Sequence, residues 1–145
     1  MTTPFTTDAE IIAIGEGLLA RSLPKAAWTH AAHFAAAVWL IAGQSALDPE
    51  RDMPSLIRAY NAATGVPNTD SGGYHETITQ ASLRATRGFL ASLPEETPLF
   101  EACNRLLATD LGKPGWLLTW WTRERLFSVE ARRAWVDPDL RPLPF

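Results

Sequence analysis

Three histidines are the side chains of this sequence best suited to chemistry, and they stand in two short clusters. His30 and His33 are one helical turn apart, so on a helix both project to the same side, about 60° from each other. His75 stands much later in the chain beside Glu76, with Asp70 a few residues upstream. Imidazole nitrogens completed by a carboxylate or a water suit zinc, iron or nickel. The residue types therefore predict a divalent-metal site, provided that the fold unites the two clusters.

The leading hypothesis gives each of these side chains a role. The three histidines bind the metal. Either carboxylate, Glu76 or Asp70, completes the ligand shell or acts as the general base. A metal-bound water then performs hydrolysis or related chemistry on a small molecule.

Two other interpretations use the same positions. Each histidine cluster lies where a helix is predicted to begin, and helix N-termini favour an anion because they carry partial positive charge and free N–H groups. The same field keeps histidine neutral, which suits a metal ligand and a general base equally. Glu76 and Asp70 would repel an anion and favour a metal. Metal-free acid–base chemistry, anion binding and purely structural histidines therefore stay open at this point.

A second set of polar residues could bind a ligand. Tyr60 and Asn61 end a predicted helix beside a polar loop, Tyr74 opens the next helix, and Arg123 and Arg125 follow a pair of tryptophans. The two arginines can hold a carboxylate or phosphate beside an aromatic wall, or pair with neighbouring glutamates on a solvated face. In this interpretation the protein is a non-enzymatic module that binds an anionic or aromatic small molecule or forms a homodimer.

The elements that must position these residues are helices. The sequence is rich in alanine, lacks alternating Val/Ile/Thr runs, and repeats its apolar residues at spacings of three and four. We predict an all-α, compact single-domain bundle of six or seven helices around a central apolar helix at about 30–42. The predicted helices cover about 8–22, 30–42, 49–64, 74–93, 98–107, 116–121 and 129–136, with a polar loop at 66–73. Thr7 to Glu10 has the form of a capping box, Thr29 and Thr97 are predicted N-caps, and Asp48-Pro49 is predicted to start the third helix.

The predicted helix 74–93 carries a line of small polar residues beside its apolar face. The line consists of His75, Thr79, Ser82 and Thr86. Such residues are typical of close helix packing or of a wet surface groove. The alternative is the wall of a polar cavity.

Composition narrows the class of protein and of partner. The chain has 145 residues, 46% hydrophobic and 20% charged, as in one ordinary globular domain. With 13 Lys and Arg against 16 Asp and Glu, its net charge of −3 argues against nucleic acid as a partner. The single cysteine, Cys103, excludes an internal disulfide and is predicted to be a buried, inert thiol.

Patterning along the chain predicts a soluble, cytoplasmic protein. The N-terminus has no basic stretch followed by an apolar one, and no apolar run is long enough to cross a membrane. We assign residues 1–136 to a single helical domain. Residues 137–145 contain three prolines, which predict an extended C-terminal tail.

Three segments of the chain carry a family resemblance. They are Trp28 to His33 (WTHAAH), Tyr60 to Thr79 (YNAATGVPNTDSGGYHETIT) and Arg123 to Ser128 (RERLFS). With these motifs the sequence resembles, over most of its length, a family of short bacterial helical proteins. The resemblance implies a bacterial origin and a single compact domain, and it brings no assigned activity or cofactor.

Overall fold

Regular structure in the described part of the chain is helical throughout, as the alanine content and the apolar spacing predict. The computed structural model describes residues 4–43 and 46–145. Seven α-helices occur in these ranges: α1 (Asp8–Ala20), α2 (His30–Val38), α3 (Pro49–Ala63), α4 (Glu76–Ala91), α5 (Leu99–Leu107), α6 (Arg123–Leu126) and α7 (Val129–Arg133). The predicted all-α class, with seven helices in one compact domain, is confirmed.

Polar side chains cap the first three helices at the predicted positions. Thr7 and Glu10 form the predicted capping box of α1, in which each side chain accepts a backbone N–H from the other residue. Thr29 and Asp48 cap α2 and α3 by accepting a backbone N–H of the first turn. The cap at Thr29 places the two neighbouring histidines in the first turn of α2.

The second helix is the central element of the bundle. It packs against α1, α4 and α5, and every residue from Phe34 to Val38 is buried. A π-helical turn, Trp39–Gly43, continues it. Gly15 of α1 permits this packing, because a Cβ on Gly15 would lie 2.1 Å from Cδ2 of Trp39. The first turn of α2 reaches the surface, so its histidines border solvent rather than the core.

A proline inside α3 ties this helix to α4. Pro54 has no N–H to donate to the carbonyl of Glu50, four residues earlier. Gln80 of α4 donates its side-chain N–H to that carbonyl instead, at 3.1 Å. Arg87 of α4 also forms an ion pair with the Glu50 carboxylate at 2.7 Å. These contacts hold the start of α3 against the middle and the second half of α4, while Asn68 joins Asn61, near the end of α3, to Tyr74 just before α4.

The starts of two helices differ from the sequence prediction. The fourth helix begins at Glu76 rather than near 74, because His75 adopts an extended backbone and caps the helix with its side chain. The fifth helix begins after Pro98 and has no side-chain cap. Thr97, the predicted cap, donates its hydroxyl to the carbonyl of Pro94 instead.

The chain after α5 departs further from the prediction. The expected helix 116–121 is a 3₁₀ turn, Trp116–Thr119. Thr122 then caps α6, which the apolar pattern did not predict. The last helix ends at Arg133, three residues before the expected end, because residues 134–136 bond to α4. Thr77 of α4 donates its hydroxyl to the Ala134 carbonyl at 3.0 Å and accepts the Val136 N–H at 3.2 Å.

The burial predicted for the single cysteine is confirmed. Cys103 is fully buried, and burial raises the pKa of its thiol to about 12, so the thiol is protonated at neutral pH. Within residues 4–43 and 46–145, no helix has the length and apolar character needed to cross a bilayer.

Candidate functional site

Two adjoining cavities lie where α2 and α4 begin. The first has a volume of about 460 Å³ and is bordered by the end of α3 and the starts of α2 and α4. The second, of about 400 Å³, is bordered by α2, α4 and the 3₁₀ turn Trp116–Thr119. His33, Ile78 and Phe127 line both cavities, which therefore share a wall. All three histidines of the sequence lie on these walls.

His75 uses both ring nitrogens to hold the backbone in place. Its Nδ1 accepts the N–H of Ile78 at 3.2 Å and thereby caps α4. Because Nδ1 is an acceptor, the proton of the neutral ring is on Nε2, which donates to the Leu126 carbonyl at 2.7 Å. Burial lowers the pKa of His75, and Arg132 lowers it further, while the bond to Leu126 opposes them. The ring is thus a neutral link between α4 and α6.

His33 has one ring nitrogen that is not bonded to the protein. Its Nδ1 donates to the Thr29 carbonyl at 2.7 Å, which makes Nε2 the unprotonated nitrogen of the neutral ring. The imidazole is stacked on Trp28, with ring centroids 3.8 Å apart. Although the residue is exposed, protein atoms packed around its ring lower the pKa of His33 by desolvation; the bond to Thr29 opposes this, and His30 lowers the pKa further. Nε2 of His33 is therefore a hydrogen-bond acceptor at the boundary of the two cavities.

His30 lines the second cavity but not the first. Its Nε2 bonds to the Leu111 carbonyl at 2.9 Å, and its ring meets Phe34 edge-on, with centroids 5.3 Å apart. A carbonyl accepts, so Nε2 carries the proton and Nδ1 keeps a lone pair.

These bonds define what the predicted metal site would require. In the described part of the chain, no three His, Cys, Asp or Glu side chains are grouped so that they could hold a metal ion. His75 would have to leave both of its backbone partners before it could ligate. His30 and His33 each retain one lone pair. The metal site at His30, His33 and His75 stays a prediction.

The two carboxylates predicted as catalytic groups are held by other residues. Glu76 accepts a short hydrogen bond from the Tyr74 hydroxyl. Asp70 lies on the surface and forms a two-point ion pair with Arg133 at 2.7 and 2.6 Å. This guanidinium lowers the pKa of Asp70. Neither carboxylate lines the two cavities.

Three of the residues predicted to bind a ligand line the first cavity: Tyr60, Asn61 and Tyr74. Tyr60 donates its hydroxyl to the Leu23 carbonyl at 2.9 Å. Burial raises the pKa of Tyr74, and its bond to the Glu76 carboxylate raises it further. Both phenol groups are therefore protonated, and each donates its hydroxyl to an acceptor within the protein. Asn61 donates its Nδ2 to Asn68 Oδ1 at 3.0 Å.

The two arginines of α6 do not line these cavities. Arg123 lies over the ring of Phe127, with its guanidinium carbon 5.6 Å from the ring centroid. Arg125 donates to the Asp137 carbonyl at 2.7 Å and so holds the C-terminal segment. Two other cations, Lys25 and Arg132, line the first cavity instead. Sequence reasoning missed both. Lys25 precedes the helix that carries His30 and His33, and Arg132 lies far along the chain from all three histidines, so neither falls within a shared helical pattern.

Aromatic residues that sequence reasoning did not assign to the site complete its walls. Trp28 supports His33 in the first cavity, and Phe127, which is 50% exposed, lies between the two cavities. Thr79 lines the first cavity and Ser82 the second, so part of the predicted polar line on α4 does form a cavity wall. Thr86, the last member of that line, is fully buried and donates to the Ser82 carbonyl.

Comparison of the chain with protein-family models, with curated proteins and with solved structures finds no match. The resemblance to short bacterial helical proteins thus stays an expectation.

Proposed function

We propose that this protein binds a small amphipathic anion, with the charged head in the first cavity and the apolar body in the second. A shared wall at His33, Ile78 and Phe127 allows one ligand to contact both spaces. Small-molecule sites commonly combine an apolar enclosure with a few polar groups that orient the ligand.

The distribution of charge on the walls is the observation that carries this proposal. Lys25 and Arg132 are the charged side chains on the first cavity, and no Asp or Glu of the described residues lines it. His33 and His75 have lowered pKa values and are neutral at pH 7. The first cavity therefore attracts an anion.

The second cavity suits an aromatic or aliphatic group. Its walls are built mainly from large apolar side chains: Phe34, Ile78, Trp116, Leu117, Leu118, Leu126 and Phe127. A phenyl-sized group placed there would leave water and gain dispersion contacts with aromatic rings. Two polar groups on this wall, His30 and Ser82, already donate to backbone carbonyls, and the third, His33, lies at the boundary with the first cavity.

A matched pair of ligands tests the proposal. We expect 3-phenylpropanoate to bind at least about tenfold more tightly than 3-phenylpropanol, since charge-assisted bonds contribute roughly 1.5–3 kcal/mol each. Titration calorimetry or ligand-induced NMR shifts would measure both dissociation constants. Failure of both compounds to bind would overturn the proposal.

Variants identify the responsible charges. The double variant Lys25→Gln, Arg132→Gln should lose the preference for the carboxylate. Arg51→Gln, Arg105→Gln is a matched control, because it removes two exposed, ion-paired arginines and changes the net charge equally. If the control loses the preference to the same extent, overall charge rather than the cavity is responsible.

Metal-dependent hydrolysis is the competing hypothesis, since all three histidines border the cavities. It requires stoichiometric uptake of a divalent ion by untagged protein purified without chelator. Zinc titration of the wild type and of the His75→Asn variant separates the two ideas. Uptake of one equivalent of zinc by the wild type, abolished in His75→Asn, would favour the metal hypothesis. Uptake below about a tenth of an equivalent by the wild type would refute it.

A further inference from the structure

The first cavity presents an amide oxygen whose orientation is set by a hydrogen-bond network. Asn68 donates its Nδ2 to the Arg58 carbonyl at 3.1 Å, and its Oδ1 accepts the Tyr74 N–H at 3.0 Å. This assigns the Asn68 amide, so the Asn61 atom 3.0 Å from Asn68 Oδ1 must be the donor Nδ2. Oδ1 of Asn61 is then left as an acceptor.

That oxygen has no hydrogen bond to the described residues, although Asn61 is 8% exposed. Within the described ranges, each fully inaccessible side-chain nitrogen or oxygen has a partner. The Asn61 Oδ1 therefore keeps access to the cavity that this residue lines. A buried acceptor without a protein partner is costly unless water or a ligand donates to it.

A second acceptor lies on the wall of the same cavity. The bond from His33 Nδ1 to the Thr29 carbonyl leaves Nε2 unprotonated, and stacking on Trp28 holds the ring plane. This nitrogen, too, has no partner among the described residues. The cavity thus offers two acceptors with assigned orientation, from α2 and α3.

Donors for an anion remain available beside these acceptors. Arg132 uses Nη1 to donate to the carbonyls of Gly73 and Tyr74, at 3.1 and 3.2 Å. Its Nε and Nη2 make no bond within the described part of the chain, and Lys25 forms no ion pair there. The head group of a ligand can therefore meet cationic donors and neutral acceptors in one cavity.

We propose that the ligand is a hydroxy acid, in which a hydroxyl next to the carboxylate donates to Asn61 Oδ1 or His33 Nε2. The inference rests on the proposed function and specifies its ligand. A plain carboxylate would satisfy Arg132 and Lys25 but leave both acceptors without a donor. An ammonium group would supply donors, yet it would lie beside two cations, which disfavours it.

Three ligands of equal carbon skeleton test the inference by titration calorimetry at pH 7.5. We expect 3-phenyllactate, in one of its enantiomers, to bind at least about fivefold more tightly than 3-phenylpropanoate. Phenylalanine should bind more weakly than 3-phenyllactate. Equal affinities for 3-phenylpropanoate and both phenyllactates would overturn the hydroxy-acid inference and leave the proposed function intact. If phenylalanine bound more tightly than 3-phenyllactate, the preferred donor would be an ammonium group rather than a hydroxyl, and the hydroxy-acid inference would be overturned.

Two variants connect the preference to the named acceptors. Asn61→Leu removes the amide oxygen, and His33→Phe removes Nε2 while it retains a ring to stack on Trp28. The variant that removes the acceptor used by the ligand hydroxyl should reduce the ratio of the two dissociation constants, and the double variant should bring it to about one. The exposed Glu101→Gln in α5, which lines neither cavity, serves as the control and should keep the wild-type ratio. If Asn61→Leu does not fold, as judged by circular dichroism, His33→Phe alone decides, and an unchanged ratio in it overturns the role of Nε2.

Discussion

The three histidines are the same residue type in the sequence, yet their nitrogens have different partners in the fold. His75 is bonded at both nitrogens, whereas His30 and His33 are each bonded at one. A ring that is bonded on both sides links two elements, and a ring with a lone pair at a cavity can contact a ligand. At the scale of the residue, hydrogen-bond partners therefore separate a histidine that links two elements from histidines that keep one nitrogen without a protein partner.

The role of His75 predicts a specific dependence of stability on pH. Folding lowers the pKa of His75 below its ordinary value of 6.5, mainly through burial. As the pH falls below 6.5, the unfolded chain takes up the proton first, so the free energy of unfolding decreases by up to about 1.4 kcal/mol per pH unit. Above pH 6.5 this contribution is fully present.

Replacing His75 with Asn should remove part of that dependence. Asparagine can cap α4 and offers an N–H donor, so we expect unfolding free energies within about 1 kcal/mol of wild type at pH 7.5. Between pH 6.5 and 5 the variant should lose less stability than wild type in urea titrations. His75→Ala, which lacks the cap, should be destabilised by about 1 kcal/mol or more at every pH. Parallel pH profiles for wild type and His75→Asn would contradict this account.

Close approach between elements decides how α2 is positioned. The start of α2 carries two histidines, and its other end continues into the π-helical turn that packs on α1 at Gly15. The bond from Gln80 to the carbonyl that Pro54 leaves free aligns α3 with α4. At the scale of the element, two residue types permit these contacts. Gly15 has no Cβ, which leaves room for Trp39, and Pro54 has no N–H, which leaves the Glu50 carbonyl free for Gln80.

Gly15→Ala should destabilise the fold. A Cβ there would lie 2.1–2.5 Å from three ring carbons of Trp39, so the helices would have to separate. We expect a loss of about 2 kcal/mol in unfolding free energy, because overpacking outweighs the gain of about 0.5–1 kcal/mol from replacing a helical glycine. Urea denaturation measures the change. The penalty should shrink in a Trp39→Leu background, and equal penalties in both backgrounds would refute the contact as its cause.

Charge and chain connectivity act at the scale of the whole molecule. The protein carries a net charge of −3, while the first cavity is lined by Lys25 and Arg132 and by no described carboxylate. Net charge is a sum over the chain, whereas a ligand responds to the few charges around it.

The ring of Phe145 contacts side chains that are distant from it along the chain. Its centroid lies 6.2 Å from that of Trp116 and 6.4 Å from that of Trp120.

Phe145→Ala should therefore weaken the fold. Phe145 packs against Gly88 of α4 and against Trp116, which forms part of the second cavity, so its ring joins separate parts of the bundle. Because the residue is 38% exposed, we expect a loss of about 1–2 kcal/mol, less than for a fully buried phenylalanine. Leu140→Ala is the control, since Leu140 is 51% exposed and should change stability by less than about 0.5 kcal/mol. Similar losses in both variants would mean that the Phe145 ring has no special contribution.

Local chemistry made much of the fold predictable. Capping side chains such as Thr7 and Asp48 act within one helical turn, and apolar spacing identifies the buried face of α4 without knowledge of its neighbours. The same reasoning failed at 116–121, where a tryptophan-rich run forms a 3₁₀ turn instead of the expected helix. There, contacts with distant elements decide the backbone.

The sequence by itself determined the helical class, the position of the central helix and the placement of the histidines at the starts of α2 and α4. These features follow from spacing, capping and residue type within short stretches of the chain. The tertiary structure alone decided which of these polar atoms are bonded to distant residues: His75 to Leu126 of α6, and Asp70 to Arg133. It also brought Lys25 and Arg132 to the same cavity. A hydrogen bond or a cavity depends on atoms that are distant along the chain, so neither can be read from a local pattern.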